Sequence, residues 1–473
     1  MTLEDKYNEM TTKPVKVLVC KMAVPTIIAM VTTALYNVVD AAFIGHLNTQ
    51  GTEGTAGVGI SFAYMTFIQA LGFFFGHGSG NHISRALGAK DVSSASVMVT
   101  VGFVTPFLLG TVAALCFLPN LSWLSRLLGA PESVVTQTND YLRYIVLATP
   151  FMMSALTLNN QLRLQGNAHF GMVGIVSGAI LNIALDPLFI FTFDMGVSGA
   201  SLATAISQVF AWGLLLYGTF KPESVHIDIV GSWKWIVGSS RGQSLLTTRY
   251  KLLTIYYEIF RGGLPSFFRQ VFNCAAAISL NYCACRYAAP GQDASAVAAF
   301  AVVTRIMMFA FSVVLGFSQG FQPVCGYNYG AKLYGRVRAS WLFASCVGTA
   351  FLLIISLVGI LFAPQIVALF RSEDPALIEI GAETLRWQCA AFPLVALFTT
   401  TGMLFQNIRM TGPATLLSIC RNGLFFLPAL LMLPLWLGLQ GVQMAQAVAD
   451  ALTFLLCIPY AVWINRKLKN DMQ

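Results

Sequence analysis

The triplet Gly88-Ala89-Lys90 returns at Gly330-Ala331-Lys332, 242 residues further along the chain. Each copy closes a long apolar run, and other matches keep a spacing between 240 and 243 residues. Pro25 pairs with Pro265, and Tyr141-Leu142-Arg143 before Pro150 pairs with Thr384-Leu385-Arg386 before Pro393. Leu164-Gln165 pairs with Phe405-Gln406, Pro187 with Pro428, Gly199 with Gly441, and Ala203 and Ala205 with Ala445 and Ala447. The chain is therefore built from two related halves.

Each half holds six apolar runs long enough to cross about 30 Å of hydrocarbon in roughly 20 residues. They cover about 22–45, 56–82, 96–118, 135–157, 170–192 and 197–219, then about 264–287, 296–322, 339–363, 380–403, 411–435 and 440–464. Six is even, so both halves enter the membrane the same way. The sequence predicts an all-α integral membrane protein of twelve transmembrane helices. These form two six-helix lobes related by a pseudo-two-fold axis along the membrane normal, with the substrate path between them. The expected divisions are 1–220 for the first lobe, 221–262 for a cytoplasmic linker and 263–473 for the second lobe. In the linker, Trp233, Trp235 and Leu245-Leu246 suggest an interfacial amphipathic piece.

Composition agrees. Of 473 residues, 56% are hydrophobic and 10% charged, against roughly 25% charged in soluble domains. That excludes a soluble globule and a disordered chain, and the runs are too continuous for a transmembrane barrel. The net charge of +8 is a matter of topology, not of nucleic-acid binding: 20 basic residues fall in the segments predicted to be cytoplasmic and three in the outer loops. Both termini are therefore expected in the cytoplasm. Residues 1–20 show no signal-peptide pattern. The ten cysteines read as small buried hydrophobes, and neither they nor the five histidines show metal-ligand spacing. No cofactor is expected beyond a coupling ion, and no enzyme constellation stands out.

An ionised group inside a span costs about 2.5–3.5 kcal/mol on insertion scales, so each needs a reason. Asp40 and Asp186 lie late in outward-running spans one and five, Asn182 sits one turn before Asp186, and Thr204 lies early in span six. All four fall in the outer half of the first lobe. Pro187 cannot donate to the Ile183 carbonyl, which leaves another oxygen available. Tyr36 and Asn37 are near enough on span one to join. Hard oxygens of this kind suit Na⁺ as a metal ligand set (Asp40, Asn182, Asp186, Thr204), and the two carboxyls also suit a proton. A purely structural role would call for twins in the second half, but the matching positions are Leu280, Gly423, Leu427 and Gln446. The second half instead carries Arg421 and Asp450 at similar depth, readable as a structural ion pair or as substrate contacts. Arg269 and Arg305 are also intramembrane. Asp140/Arg143 and Glu383/Arg386 are expected to pair structurally. His77 and His82 are read as packing or capping groups, and the many Phe and Met side chains as mainly lipid-facing or core.

The chain resembles the multidrug and toxic compound extrusion (MATE) transporters, closest to their bacterial DinF/MepA-like branch. The resemblance is carried by Pro25 with Asn37-Val38-Val39-Asp40 and Gly45, and by Arg85-Ala86-Leu87-Gly88. It rests also on Asn182-x-x-x-Asp186-Pro187 and on Gln322-Pro323-x-x-Gly326-Tyr327-Asn328-Tyr329-Gly330-Ala331. It implies a bacterial cytoplasmic-membrane antiporter, working as a monomer, that exports small organic, often cationic or amphipathic compounds against a Na⁺ or H⁺ gradient. It assigns cation binding to Asp40, Asn182, Asp186 and Thr204. Pro25 is either a static kink or the hinge at which span one bends when Asp40 takes its ion. A flippase for a lipid-linked intermediate, from the wider superfamily, is the alternative; it predicts a cavity lined with basic groups.

Overall fold

The structure, a computed structural model, describes residues 2–45, 51–237, 245–289, 293–370 and 374–471. Among the described residues there are helices and no strands. The first lobe contains α1 (Leu3–Thr12), α2 (Val15–Gly45), α3 (Gly51–Gly88), α4 (Val92–Phe117), α5 (Leu121–Leu127), α6 (Val135–Leu164), α7 (Ala168–Pro187) and α8 (Gly196–Thr219). A short α9 (Ile229–Val237) precedes the second lobe: α10 (Leu245–Tyr287), α11 (Asp293–Gly330), α12 (Tyr334–Leu361) and α13 (Ala363–Ala368). It ends with α14 (Pro375–Ala391), α15 (Val395–Asn407), α16 (Thr411–Ile419), α17 (Phe426–Leu437) and α18 (Leu439–Asn470).

The twelve crossings are α2, α3, α4, α6, α7, α8, α10, α11, α12, α14–α15, α16–α17 and α18. Eleven segments among the described residues are long and apolar enough to cross by composition alone. The exception is the seventh crossing, in α10, where Arg269, Gln270, Asn273 and Asn281 dilute the apolar run. The connection before it contains α9 and a helical extension of α10 running continuously into the membrane. Trp233 and Trp235 of α9 are exposed, as an interfacial piece requires; Leu245 and Leu246 side chains, Arg241 and Arg371 lie outside the described residues.

The lobes meet through α2 against α11 and α3 against α10. A two-fold operation exchanging the repeats turns one of these contacts into the other. The Gly-Ala-Lys motifs sit where the lobes are closest, at the end carrying both termini, called here the basal end. A Cβ on Gly88 would collide with the Tyr327 carbonyl, and one on Gly330 with the Arg85 carbonyl. Each glycine thus admits the backbone of the other lobe. The lysines that follow end their helices alike: Lys90 and Lys332 have φ of 61° and 59°. Asp91 N–H donates to the Ala86 carbonyl at 2.8 Å and Leu333 N–H to the Asn328 carbonyl at 2.8 Å, a six-to-one closure that satisfies end carbonyls.

Higher up, Gly320 lies on Ala23 of α2, and Gly78, its partner in the repeat, lies on Ile259 and Gly262 of α10. The same helical stripes continue toward the outer end as Phe309 on α11 and Phe67 on α3, about three turns on, and as Arg305 on α11, about four turns on. There they are exposed, Phe67 to 51% and Phe309 to 47%. The lobes are closed at the basal end and diverge at the outer end.

Two expectations are corrected. Asp140 does not reach Arg143, nor Glu383 Arg386, within ion-pair distance among the described residues; Glu383 instead accepts from Gln440 at 3.3 Å. The i, i+3 spacing permits such pairs but does not compel them where water competes. Arg163, one of the 20 basic residues assigned from sequence to the cytoplasmic segments, is instead 2% exposed in the last turn of α6.

Candidate functional site

In the first lobe, α7 and α8 pack side by side, and the helical turn between Asn182 and Asp186 puts both on the face toward Thr204. Asn182 Nδ2 donates to Asp186 Oδ1 at 3.2 Å and approaches Thr204 Oγ1 at 3.4 Å. Asn182 and Thr204 are 3% exposed and Asp186 is 0% exposed. Asn182 Oδ1 is buried without a hydrogen-bond partner. The orphaned amide oxygen, the buried carboxylate and the hydroxyl each supply lone pairs that fit a small hard cation, once the Asn182 amide turns Oδ1 in place of Nδ2 toward Asp186 and Thr204. These three residues would hold it.

Ile183 lies in the same turn, partly buried, and α7 ends at Pro187, followed by a wider π-type turn over Leu188–Thr192. Helix α2 runs the length of α7 and passes unbroken through Pro25. Tyr36 on it is partly buried. The Asn37 and Asp40 side chains lie outside the described residues.

The second lobe fills the equivalent place differently. Arg421 Nε donates to Asp450 Oδ1 at 2.9 Å, and Gln446 Nε2, at the position matching Thr204, donates to the same oxygen at 2.9 Å. The guanidinium lies over Phe311 at 4.6 Å and Phe398 at 5.8 Å, a cation–π cradle. Asp450 is 3% exposed and Arg421 20%, so the pair is sealed on the carboxylate side and open on the other. Arg421 lies in a π-type turn, Cys420–Leu424. A Cβ at Gly423, the position matching Asn182, would come within 2.6 Å of the Phe272 ring, which leaves no room for a second amide.

The MatE family model matches residues 25–188 and again residues 265–431. The chain belongs to the MatE family. This MatE chain is 26% identical over 460 residues to multidrug export protein MepA of Staphylococcus aureus (strain N315), covering 95% of this chain and 94% of that one. It is likewise 26% identical over 453 residues to MepA of Staphylococcus haemolyticus (strain JCSC1435), covering 95% and 93%. Among solved structures, an outward-facing conformation of a multidrug resistance MATE family transporter of the MOP superfamily superposes with a TM-score of 0.87 at 26% identity, covering 98% of each chain. A MOP superfamily transporter from Pyrococcus furiosus, described as having a binding pocket of reverse polarity, gives 0.85 at 26% identity with the same coverage.

Sequence reasoning missed the polar core of this MatE protein's basal closure. Arg163 Nη1 crosses between lobes to the Gln319 carbonyl and to Gln322 Oε1, both at 2.7 Å. Its Nη2 reaches Asn160 Oδ1 at 2.7 Å and His77 Nε2 at 3.3 Å. His77 Nδ1 faces the Phe73 carbonyl at 3.2 Å, which fixes the neutral tautomer with Nε2 as acceptor. Nearer the surface, Arg85 donates to the Asn407 carbonyl at 2.6 Å, and Glu258 meets Arg409 at 2.9 Å, His82 at 3.6 Å and Arg85 at 3.7 Å. Burial raises the Glu258 carboxyl, but the His82 bond and the Arg409 and Arg85 charges outweigh it and hold the group down to about 2. The only sequence signal was the polar run Asn159-Asn160-Gln161 ahead of Arg163, which no loop needs.

Proposed function

We propose that this protein is a cation-coupled antiporter exporting small organic, often cationic or amphipathic compounds from the cytoplasm. Its basal end would face the cytoplasm, with both termini inside, and the working unit would be a monomer in the cytoplasmic membrane. The observation that carries the reading is the buried Asn182–Asp186–Thr204 cluster with an unsatisfied Asn182 oxygen. Asp40, on the helix alongside, would complete it with Tyr36, Asn37 and the Ile183 carbonyl. In the outer-open form, Na⁺ or H⁺ from outside would neutralise the carboxylates and bias α2 to bend at Pro25. That bending would narrow the cleft and promote substrate release. The ion does this only through its differential affinity for the two shapes. The MepA relatives are drug exporters by name, which supports this reading and does not favour a lipid flippase.

Dye efflux from vesicles, with Na⁺ and pH gradients imposed separately, tests it. One gradient is expected to drive efflux, and Asp186→Asn and Asp40→Asn are each expected to abolish it while protein stays in the membrane. Normal export by both variants would overturn the ion-site assignment.

A further inference from the structure

Two guanidinium groups lie deep between the lobes with no acid to balance them. Arg163 is 2% exposed, and its four hydrogen-bond partners are the neutral groups of Asn160, His77, Gln319 and Gln322. Arg269, on α10, is the other charge felt at both Arg163 and His77. Among the described residues no carboxylate pairs with either arginine. An uncompensated buried charge is costly, and two neighbouring ones of like sign are costlier.

Arg163 and the two glutamines it binds across the lobes also carry unpartnered polar atoms. Arg163 Nε, Gln319 Nε2 and Gln322 Nε2 are buried and have no hydrogen-bond partner. All three are donors. Spare donors on and beside an unbalanced guanidinium form a group disposed to take an anion once the basal end opens. The groups also come from both lobes: Arg163 on α6, His77 on α3, Gln319 and Gln322 on α11, Arg269 on α10. When the basal end opens, Arg163 must give up the Gln319 carbonyl and Gln322 Oε1, and two guanidinium N–H groups then face the cytoplasmic side. Arg269 is only partly buried. Phe267, two residues before it on α10, packs against Phe74 of α3 at 6.1 Å, so Arg269 lies on the stretch of α10 that borders the other lobe.

We propose that Arg163 and Arg269, with the Gln319 and Gln322 amides, form a receptor for the carboxylate of an amphipathic organic substrate, presented when the basal halves part. Reclosure returns the α11 oxygens to Arg163 and displaces the carboxylate toward Arg269 and the cleft. The site thus deepens the export reading on which it rests: it names substrates carrying an acidic group, alone or beside a cationic one.

The test uses a rhodamine bearing a free carboxylate and the methyl ester of the same dye, which differ only at that group. Binding to the purified full chain is read by fluorescence anisotropy in dodecyl maltoside and phosphate-free buffer, so that no lipid or buffer phosphate competes. Efflux is read in vesicles. The acid is expected to bind roughly tenfold or more tightly than the ester. Arg269→Gln is expected to remove that preference while leaving ester binding within about twofold, and Arg269→Lys to restore part of it. Equal binding of acid and ester by the wild type overturns the proposal without relying on any variant to fold. Equal loss of both dyes in Arg163→Gln and Arg269→Gln also overturns it and makes the cluster a closure latch. Acid-selective binding without efflux of either dye would uphold the receptor and sink the export reading.

Discussion

The last two helices of each lobe occupy equivalent places and solve the same electrostatic problem in opposite ways. In the first lobe, Asn182, Asp186 and Thr204 gather oxygens and leave one of them unsatisfied. In the second, Asp450 is met by the guanidinium of Arg421 and the amide of Gln446. The second lobe carries its cation covalently; in the proposed reading the first takes one from solution. The repeat supplies one scaffold twice, and the proposed reading gives the response to an ion gradient to the copy without a resident cation. The twin positions show how the difference is fixed, since the Phe272 ring packs against Gly423, where an asparagine side chain would have to fit.

The largest expected effect follows directly. Asp186→Asn is expected to abolish ion-dependent efflux, whereas Asp450→Asn should leave the ion dependence in place and alter substrate preference. Asp450→Asn also leaves Arg421 without its carboxylate, so stability should fall by about 3 kcal/mol, the low end for breaking a buried pair because Arg421 is partly exposed. Thermal unfolding in detergent reads the second effect. Loss of ion dependence in Asp450→Asn would erase the distinction between lobes.

Next comes the gate, where the lobes behave as twins. Gly320→Leu and Gly78→Leu each place a side chain where the other lobe's backbone passes, so both should prop the basal end open. Cys325, fully buried there, is expected to gain maleimide reactivity by about tenfold, as expected for a state favoured by about 1.4 kcal/mol, in a background lacking the exposed Cys20, Cys116, Cys285 and Cys346. An effect in one variant alone would show that the closure is not symmetric.

The smallest effect concerns Glu258, whose counterpart 240 residues earlier is Leu18. Its carboxyl is held down to about 2. The stability it contributes is therefore present above the ordinary carboxylate value and lost as pH falls toward 2. At neutral pH, Glu258→Gln should lower stability by about 1 kcal/mol, since the group borders solvent and is screened. The difference should shrink as pH falls below the ordinary carboxylate value and vanish in melting temperature only at about pH 2 and below; a constant difference would mean the carboxylate charge is not what matters there.

Much of this was legible before any coordinates. Twelve apolar runs can be read because lipid forces every backbone polar group into helices. The doubled motifs gave the lobes, and the missing twins of Asp186 and Asn182 marked the candidate ion site. The pairs Asp140/Arg143 and Glu383/Arg386 misled, because spacing on a helix allows a contact whose formation depends on competing partners such as Gln440. Arg163 misled more seriously: a cation at the end of an apolar run looks like a loop residue until another lobe closes over it.

The sequence by itself determined the helices, the duplication and the chemical asymmetry between halves, since each depends on residues near in the chain or on a repeat. Only the tertiary structure decided which end is closed, that Arg421 meets Asp450, and that neither Arg163 nor Arg269 is paired with an acid among the described residues. Those facts arise where helices from distant parts of the chain pack, and no periodicity along one helix records what the opposing helix brings to it.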